Sequence, residues 1–171
     1  IYRDPRLETA RYFFVKDGAI VGQTAISSRK PGSTQVLIGG TEVQQSAHLT
    51  DIIDQMGRVG ADTVWILHNH PDGNPTPSQQ DIDTTATLAA KFMQAGKKFG
   101  GHVIINQNRF ATVSVARNGS KLKLLPSVEV ADFGRATKYD IANPKLAHPL
   151  LNEQILSPID LAHAAKKAQV S

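Results

Sequence analysis

The 171-residue sequence contains no cysteine. Disulfides and thiolate metal ligands are therefore excluded, and a reducing, cytoplasmic compartment is expected. The sequence also lacks a signal peptide and any apolar run long enough to cross a membrane, so no membrane partner is expected. Its first residue is Ile1 rather than methionine. We therefore expect the chain to be part of a larger polypeptide.

Aromatic residues are scarce, at 6% of the chain, and positive charge is scarce in the first half. Residues 1–90 contain 7 Lys and Arg against 10 Asp and Glu, whereas residues 91–171 contain 12 against 5. A basic half can attract nucleic acid or an acidic protein. The lysines are scattered, however, and no aromatic stacking pattern accompanies them. A solvated surface is therefore the favoured interpretation.

The order of the hydrophobic segments predicts a mixed α/β domain. Residues 11–27 are expected to form a hairpin around an Asp-Gly turn, and residues 35–39 a further short strand. Apolar residues at helical spacing predict one helix over residues 46–60 and another over residues 78–96. The apolar run at residues 63–69 is typical of a buried strand. Three more strands are expected in the segments GHVIIN, FATVSVA and KLKLLP.

The composition changes near residue 126. Prolines interrupt residues 127–171, where only SPIDLAHAAKKAQ is predicted to be helical, with Ser157 as the N-cap and Pro158 at the first helical position. We interpret residues 1–126 as one domain and residues 127–171 as a C-terminal extension or connector with one short helix.

The candidate chemistry is concentrated in the stretch HNHPDGNPTPSQQD, residues 68–81. Side chains alternate along a strand, so His68 and His70 should lie on one face and Asn69 on the other. Two imidazoles at a strand end can chelate one divalent ion. A His-x-His pair alone is more often structural than metal-binding, so the residues that follow decide between the two interpretations.

Ser78 and Asp81 have the spacing of a capping box at the start of a helix. The same spacing occurs at Ser157 and Asp160, where no chemistry is expected. Helix capping therefore explains Ser78 and Asp81, but it does not explain the two histidines before them. Two imidazole nitrogens and one aspartate oxygen would leave a fourth position for water, as in catalytic zinc sites. Manganese and iron(II) also match these ligand types.

The spacing H-N-H, seven residues, S, two residues, D resembles the JAMM signature of MPN/JAB-domain metalloproteases, and HNHPDGNPTPS is similar to the RadC-like JAB version. The resemblance spans roughly residues 8–116. It implies that residues 1–126 form a RadC-like JAB/MPN domain. Such a domain has a cytidine deaminase-like fold, in which helices flank a central β-sheet. It also implies Zn²⁺ as cofactor and a peptide or protein substrate, with a ubiquitin-like tail among the candidates.

The resemblance also implies roles for individual residues. The zinc ligands would be His68, His70 and Asp81. Ser78 would stabilise the oxyanion of the transition state, and an upstream glutamate would activate the water.

The glutamates that precede the histidines in the sequence are Glu8 and Glu42. The glutamate of the family lies at the start of the first strand, which matches Glu8. Glu42 remains the alternative.

The sequence hypothesis is a zinc-dependent metallopeptidase that hydrolyses a peptide or isopeptide bond through a metal-activated water. One alternative is a non-catalytic MPN-like module, for protein interaction or nucleic-acid binding, within a larger DNA-processing protein. Another is a different metal-dependent hydrolase, such as a phosphoesterase, that uses the same ligands.

Overall fold

A computed structural model describes residues 8–27, 42–70, 74–106, 109–118, 121–127 and 153–169. The elements in chain order are β1 (Thr9–Lys16), β2 (Ala19–Ser27), α1 (Glu42–Arg58), β3 (Thr63–Asn69), α2 (Gln79–Gln94), β4 (Lys98–Asn106), β5 (Arg109–Asn118), β6 (Lys121–Ser127) and α3 (Pro158–Gln169).

The described strands form a six-stranded sheet in the order β2-β1-β3-β4-β5-β6. Strands β3 and β4 are parallel, and every other neighbouring pair is antiparallel. A parallel pair needs a crossover connection, and α2 supplies it between β3 and β4. The predicted mixed α/β fold, with a central sheet flanked by helices, is confirmed.

Helices α1 and α2 cover one face of the sheet. The strand residues Tyr12, Val64 and Ile66 pack there against Ile52 of α1 and Phe92 of α2. All five side chains are at most 1% exposed. His68 lies on β3 and His70 directly follows it, so the packing of β3 against the helices helps to hold both histidines in place.

Helix α3 covers the opposite face. Strand residues such as Phe13 and Leu67 form a second core cluster with Leu161 of α3. The chain also returns to the β1–β2 hairpin, because the backbone N–H of Ile155 donates to the carbonyl of Gly18 at 2.7 Å. Both faces of the sheet are thus covered, which explains why β3 is a nearly continuous apolar run. The domain boundary near residue 126 stays a prediction.

Several element boundaries differ from the predicted ones. Helix α1 begins at Glu42 rather than Ser46, because residues 42–45 (EVQQ) contain no helix breaker and extend the helix beyond its apolar stripe. Strand β4 begins at Lys98 instead of Gly101. Gly100 is required there, since a Cβ atom at this position would collide with the indole ring of Trp65.

Other predicted features agree with the structure or lie outside the part it describes. Helix α3 begins at Pro158, directly after Ser157, as predicted. The strand predicted at residues 35–39 lies outside the described residues. Among the residues that the structure describes, no helix combines the length and the apolar character that crossing a membrane requires.

Candidate metal centre

The pairing of β1 with β3 brings Glu8 to the histidines. Ala10 lies opposite His68 in the ladder, and Glu8 precedes Ala10 by one period of the strand. Glu8 is 5% exposed and His68 is 2% exposed. Each of Glu8, His68 and His70 offers one ligand atom, and these atoms all lie within 4.8 Å of one another. This buried group could hold a metal ion.

Asp81, in the first turn of α2, faces both histidines. Its Oδ1 lies 3.7 Å from Nε2 of His68, and its Oδ2 lies 3.3 Å from Nε2 of His70. The structure thus brings together the three residues that the sequence suggests as metal ligands. The strand that ends at Asn69 and the helix that begins at Gln79 meet at this point.

Ser78 caps α2 and holds the carboxylate of Asp81. The Ser78 hydroxyl donates to Oδ2 of Asp81 at 2.6 Å, and the Ser78 backbone N–H donates to the same oxygen at 2.8 Å. In return, the Asp81 backbone N–H donates to Oγ of Ser78 at 3.1 Å. The predicted capping box is confirmed. Ser78 is exposed, whereas Asp81, which its hydroxyl contacts, is buried.

The orientation of His70 is fixed by the loop that follows it. Nδ1 of His70 lies 2.7 Å from the backbone carbonyl oxygen of Asn74. A carbonyl only accepts hydrogen bonds, so Nδ1 carries the hydrogen and Nε2 of the neutral ring is left for a ligand bond. In the charged form Nε2 also carries a hydrogen and can donate to Asp81. Burial opposes this form, but its hydrogen bonds to Asp81 and Asn74 outweigh burial and raise the pKa of His70.

The charges of the centre favour a cation. Burial lowers the pKa of His68 well below its ordinary value, and the neighbouring His102 adds to the effect. Burial would raise the pKa of Asp81, but its hydrogen bonds with His70 and Ser78 and the proximity of His68 lower it. Near neutral pH the centre therefore combines a neutral imidazole at His68 with an ionised carboxylate at Asp81.

Two buried polar residues behind the centre were not predicted to belong to it. Nε2 of His102 lies 2.9 Å from Nδ1 of His68, and Nδ1 of His102 lies 2.7 Å from Oγ1 of Thr85. His102 lies in β4 and is fully buried. The one sequence signal that could have linked Thr85 to the centre was its position four residues after Asp81, on the same helix face.

Asn69 secures the start of β1. Its side chain is 5% exposed, and its Oδ1 accepts a hydrogen bond from the backbone N–H of Thr9 at 2.9 Å. This bond ties the residue after Glu8 to the strand that carries the histidines.

Of the two candidate bases, Glu8 is the one that the structure places against the histidines. Glu42 is the first residue of α1, and its side chain lies outside the described part of the chain. The role of Glu8 as the base stays a prediction.

The chain has recognisable relatives. A stretch of 86 residues is 35% identical to the UPF0758 protein of Carboxydothermus hydrogenoformans, covering 50% of this chain and 38% of that relative. A stretch of 85 residues is 35% identical to the UPF0758 protein of Trichodesmium erythraeum, covering 50% and 35% of the two chains. For the UPF0758 protein of Geotalea uraniireducens the identity is 37% over 71 residues, covering 42% and 31%. These matches therefore span well under half of the length of each relative.

The family match covers the core of the fold. Residues 20–120 match the family model of the RadC-like JAB domain, and this range includes the histidines and the capped start of α2. Glu8 lies upstream of the matched range. Because the match extends over more than half of the sequence, the chain belongs to the RadC-like JAB domain family, and its sheet flanked by helices is a JAB/MPN fold.

Proposed function

We propose that the protein is a zinc-dependent metallopeptidase that hydrolyses a peptide or isopeptide bond. The observation that carries this proposal is the convergence of Glu8, His68, His70 and Asp81, from three elements, on one largely buried point. Buried carboxylates and imidazoles in such proximity are costly unless they are paired or bind a cation.

The donor geometry fits a divalent ion. Nε2 of His68 and Oδ1 of Asp81 face each other at 3.7 Å, which is longer than a hydrogen bond. A cation held by His68 and Asp81 would satisfy both side chains. The donors are nitrogen and oxygen, which suit Zn²⁺ and leave Mn²⁺ and Fe²⁺ as competitors. When bound, Zn²⁺ lowers the pKa of a water molecule towards neutrality and polarises a substrate carbonyl.

Glu8 supplies the proton transfer in this proposal. Its carboxylate accepts a proton from the attacking water, whose oxygen adds to the carbonyl carbon of the scissile bond. The carbon–nitrogen bond then breaks, and Glu8 returns the proton to the leaving amine. Burial of Glu8 beside the histidines supports this role, since the base must lie within hydrogen-bond reach of the water.

Ser78 stabilises the oxyanion in this proposal. Its hydroxyl donates to Asp81 in the structure. The hydroxyl would have to rotate away from Oδ2 of Asp81 to donate to a substrate oxygen, and the backbone N–H of Ser78 would continue to hold the carboxylate. The exposure of Ser78 supports such a role, because a substrate approaching from solvent would meet it first.

The direct test compares wild type with Glu8→Gln. Glutamine has the same shape but cannot accept the proton. The zinc-loaded proteins are assayed in parallel on peptide, isopeptide-linked and phosphodiester substrates. We expect wild type to cleave an amide bond and Glu8→Gln to be slower by roughly 10²- to 10⁴-fold. Cleavage of the phosphodiester alone would instead support the phosphoesterase alternative.

The non-catalytic alternative is motivated by the charge of the second half, where Lys and Arg outnumber Asp and Glu by 12 to 5. It predicts that no substrate is cleaved. It also predicts that DNA or RNA binds with an affinity that falls steeply with salt and is the same in Glu8→Gln. Protein or peptide partners, a ubiquitin-like tail among them, and a cytoplasmic location stay predictions.

A further inference from the structure

A buried chain of hydrogen bonds connects helix α2 to His68. It runs from the backbone carbonyl of Asp81 to Oγ1 of Thr85 at 2.5 Å, and from there to His102 at 2.7 Å. It ends at Nδ1 of His68, 2.9 Å from His102. Thr85 and His102 have no exposed surface, and the hydrolytic steps proposed above use neither of them.

The first bond of this chain fixes the direction of the others. The carbonyl of Asp81 can only accept, so the single hydroxyl hydrogen of Thr85 points to it. Oγ1 of Thr85 therefore accepts from His102, which must carry a hydrogen on Nδ1. His102 has no exposed surface and its two ring nitrogens face Thr85 and His68 rather than a carboxylate, so the neutral ring with that one hydrogen is the form that this site accommodates.

The direction of these hydrogen bonds also fixes the tautomer of His68, a candidate metal ligand. Nε2 of His102 has no hydrogen and accepts from Nδ1–H of His68. A neutral His68 with its hydrogen on Nδ1 has a free lone pair on Nε2, the atom that faces Asp81. If His68 instead accepted from His102 and His102 accepted from Thr85, the hydroxyl hydrogen of Thr85 would point to His102. Oγ1 of Thr85 and the Asp81 carbonyl oxygen would then lie 2.5 Å apart with no hydrogen between them.

We propose that Thr85 and His102 are positioning residues that hold His68 in the Nδ1–H tautomer, with its Nε2 directed at the metal position. Metal-binding histidines commonly donate their second N–H to a fixed acceptor, which sets the tautomer and the ring orientation. Here the acceptor is a second imidazole, whose own tautomer is set by the helix carbonyl of Asp81. The importance of the tautomer for metal binding rests on the proposed function, whereas the tautomer itself does not.

The test uses Thr85→Val, which removes the hydroxyl and keeps the shape, and Thr85→Ser, which restores the hydroxyl. Thr87→Val is the matched control. Thr87 also donates to the carbonyl four residues before it, Asp83, at 3.0 Å, but it is exposed and has no place in the chain of hydrogen bonds. All three variants are made in the full chain.

The first readout is the tautomer of His68 and His102 in metal-free protein, from nitrogen-15 NMR of the imidazoles, with signals assigned through His102→Gln. Wild type, Thr85→Ser and Thr87→Val should show both rings hydrogenated at Nδ1. In Thr85→Val the hydrogen of each ring should move towards Nε2. Wild-type His68 hydrogenated at Nε2, or tautomers that are unchanged in Thr85→Val, would overturn the proposal.

The second readout is Zn²⁺ affinity, measured by competition with a chelator. Thr85→Val should bind roughly tenfold more weakly than wild type, while Thr85→Ser and Thr87→Val keep the wild-type affinity. An equal loss in Thr85→Val and Thr87→Val would contradict the proposed role in metal binding. If wild type shows the Nδ1–H tautomers and binds no Zn²⁺, the proposed function fails and the tautomer assignment stands.

Discussion

At the scale of single residues, the candidate centre depends on which groups are neutral and which are charged. His102 is the clearest case, because it is fully buried and lies 2.9 Å from a second imidazole. A second proton would charge this ring, and no solvent surrounds the ring to stabilise the charge. The neutrality of His102 therefore links the stability of the metal-free protein to pH.

The metal-free protein should lose stability as the pH falls from 6.5 to 4. Burial lowers the pKa of His102 from 6.5 to about 4 in the folded protein. In this window the unfolded chain binds a proton that the folded protein excludes, so protonation favours unfolding. At about 1.4 kcal/mol per pKa unit, the full loss from His102 is about 3 kcal/mol. The His102→Gln variant has no imidazole at this position and should therefore not show this loss of unfolding free energy.

The measurement is the free energy of unfolding of metal-free wild type and His102→Gln at several pH values. The comparison is needed because two other histidines contribute: His68 has a lowered pKa and contributes with the same sign, whereas His70 has a raised pKa and contributes with the opposite sign. The wild-type curve should fall more steeply than that of the variant below pH 6.5. Parallel curves would show that His102 does not titrate as its burial implies.

The sequence could predict which site residues lie together when they are close in the chain. It could not do so when tertiary contacts bring them together. The spacing of His68, His70 and Asp81 suggests a common site because one strand end and one helix start lie close together in sequence. Glu8 could be proposed only through the family resemblance, since its position depends on how β1 pairs with β3. The contact of His102 with His68 depends on the register of the parallel strands, for which the sequence has no spacing signal.

At the scale of secondary-structure elements, two helices begin with the same cap. Ser78 and Asp81 cap α2, and Ser157 and Asp160 cap α3 with a hydroxyl-to-carboxylate bond of 2.8 Å. The backbone N–H that donates to the carboxylate belongs to Ser78 in α2 and to Leu156 in α3. The carboxylate of the α2 cap faces His68 and His70. The chain thus contains its own control for the difference between capping and metal binding.

Ser78→Ala and Ser157→Ala should each lower the free energy of unfolding by about 1 kcal/mol, because each removes a helix cap. Only Ser78→Ala should also weaken Zn²⁺ binding, by roughly tenfold, since it removes a hydrogen bond that orients the carboxylate of Asp81. Chemical denaturation and chelator competition measure the two effects. If Ser78→Ala binds Zn²⁺ as tightly as Ser157→Ala, the Ser78 hydroxyl does not support metal binding.

The type of each element could be predicted more reliably than its limits. The apolar stripe of α1 begins after its first turns, so its periodicity does not mark the start at Glu42. The end of α1 was easier to predict than its start, because Gly60 follows the helix and adopts a positive φ of 67°, a conformation that favours glycine.

At the scale of the whole molecule, the sheet separates two cores. The face toward α1 and α2 carries the candidate centre, and the face toward α3 is purely a packing surface in the described residues. The composition change near residue 126 suggested that the last part of the chain is an addition to the domain. The burial of Leu161 and Ala165 in the second core indicates that α3 stabilises the sheet.

Leu161→Ala should therefore lower the free energy of unfolding by about 3 kcal/mol, as expected for a fully buried leucine that leaves a cavity. The Zn²⁺ affinity of the folded variant should stay at the wild-type value, because Leu161 lies on the face away from the histidines. Thermal and chemical denaturation provide the first value, and chelator competition the second. A loss below about 1 kcal/mol would instead support residues 1–126 as a domain that is stable without α3.

The strand order could not be predicted from the sequence, and the reason is physical. Hydrophobic patterns report which residues are buried, but the insertion of β3 between β1 and β4 depends on contacts between distant segments. That insertion is what brings Glu8 to the histidines.

The most direct test of the account is a titration of metal-free protein with Zn²⁺ in competition with a chelator. Wild type, Glu8→Gln and Asp81→Asn are compared, with Asp83→Asn as the control, because Asp83 is an exposed aspartate two residues further along α2. We predict one tightly bound ion in wild type, Glu8→Gln and Asp83→Asn, and the loss of most binding in Asp81→Asn. A wild type that binds no Zn²⁺, or an Asp81→Asn variant that binds as tightly as wild type, would contradict the proposed centre.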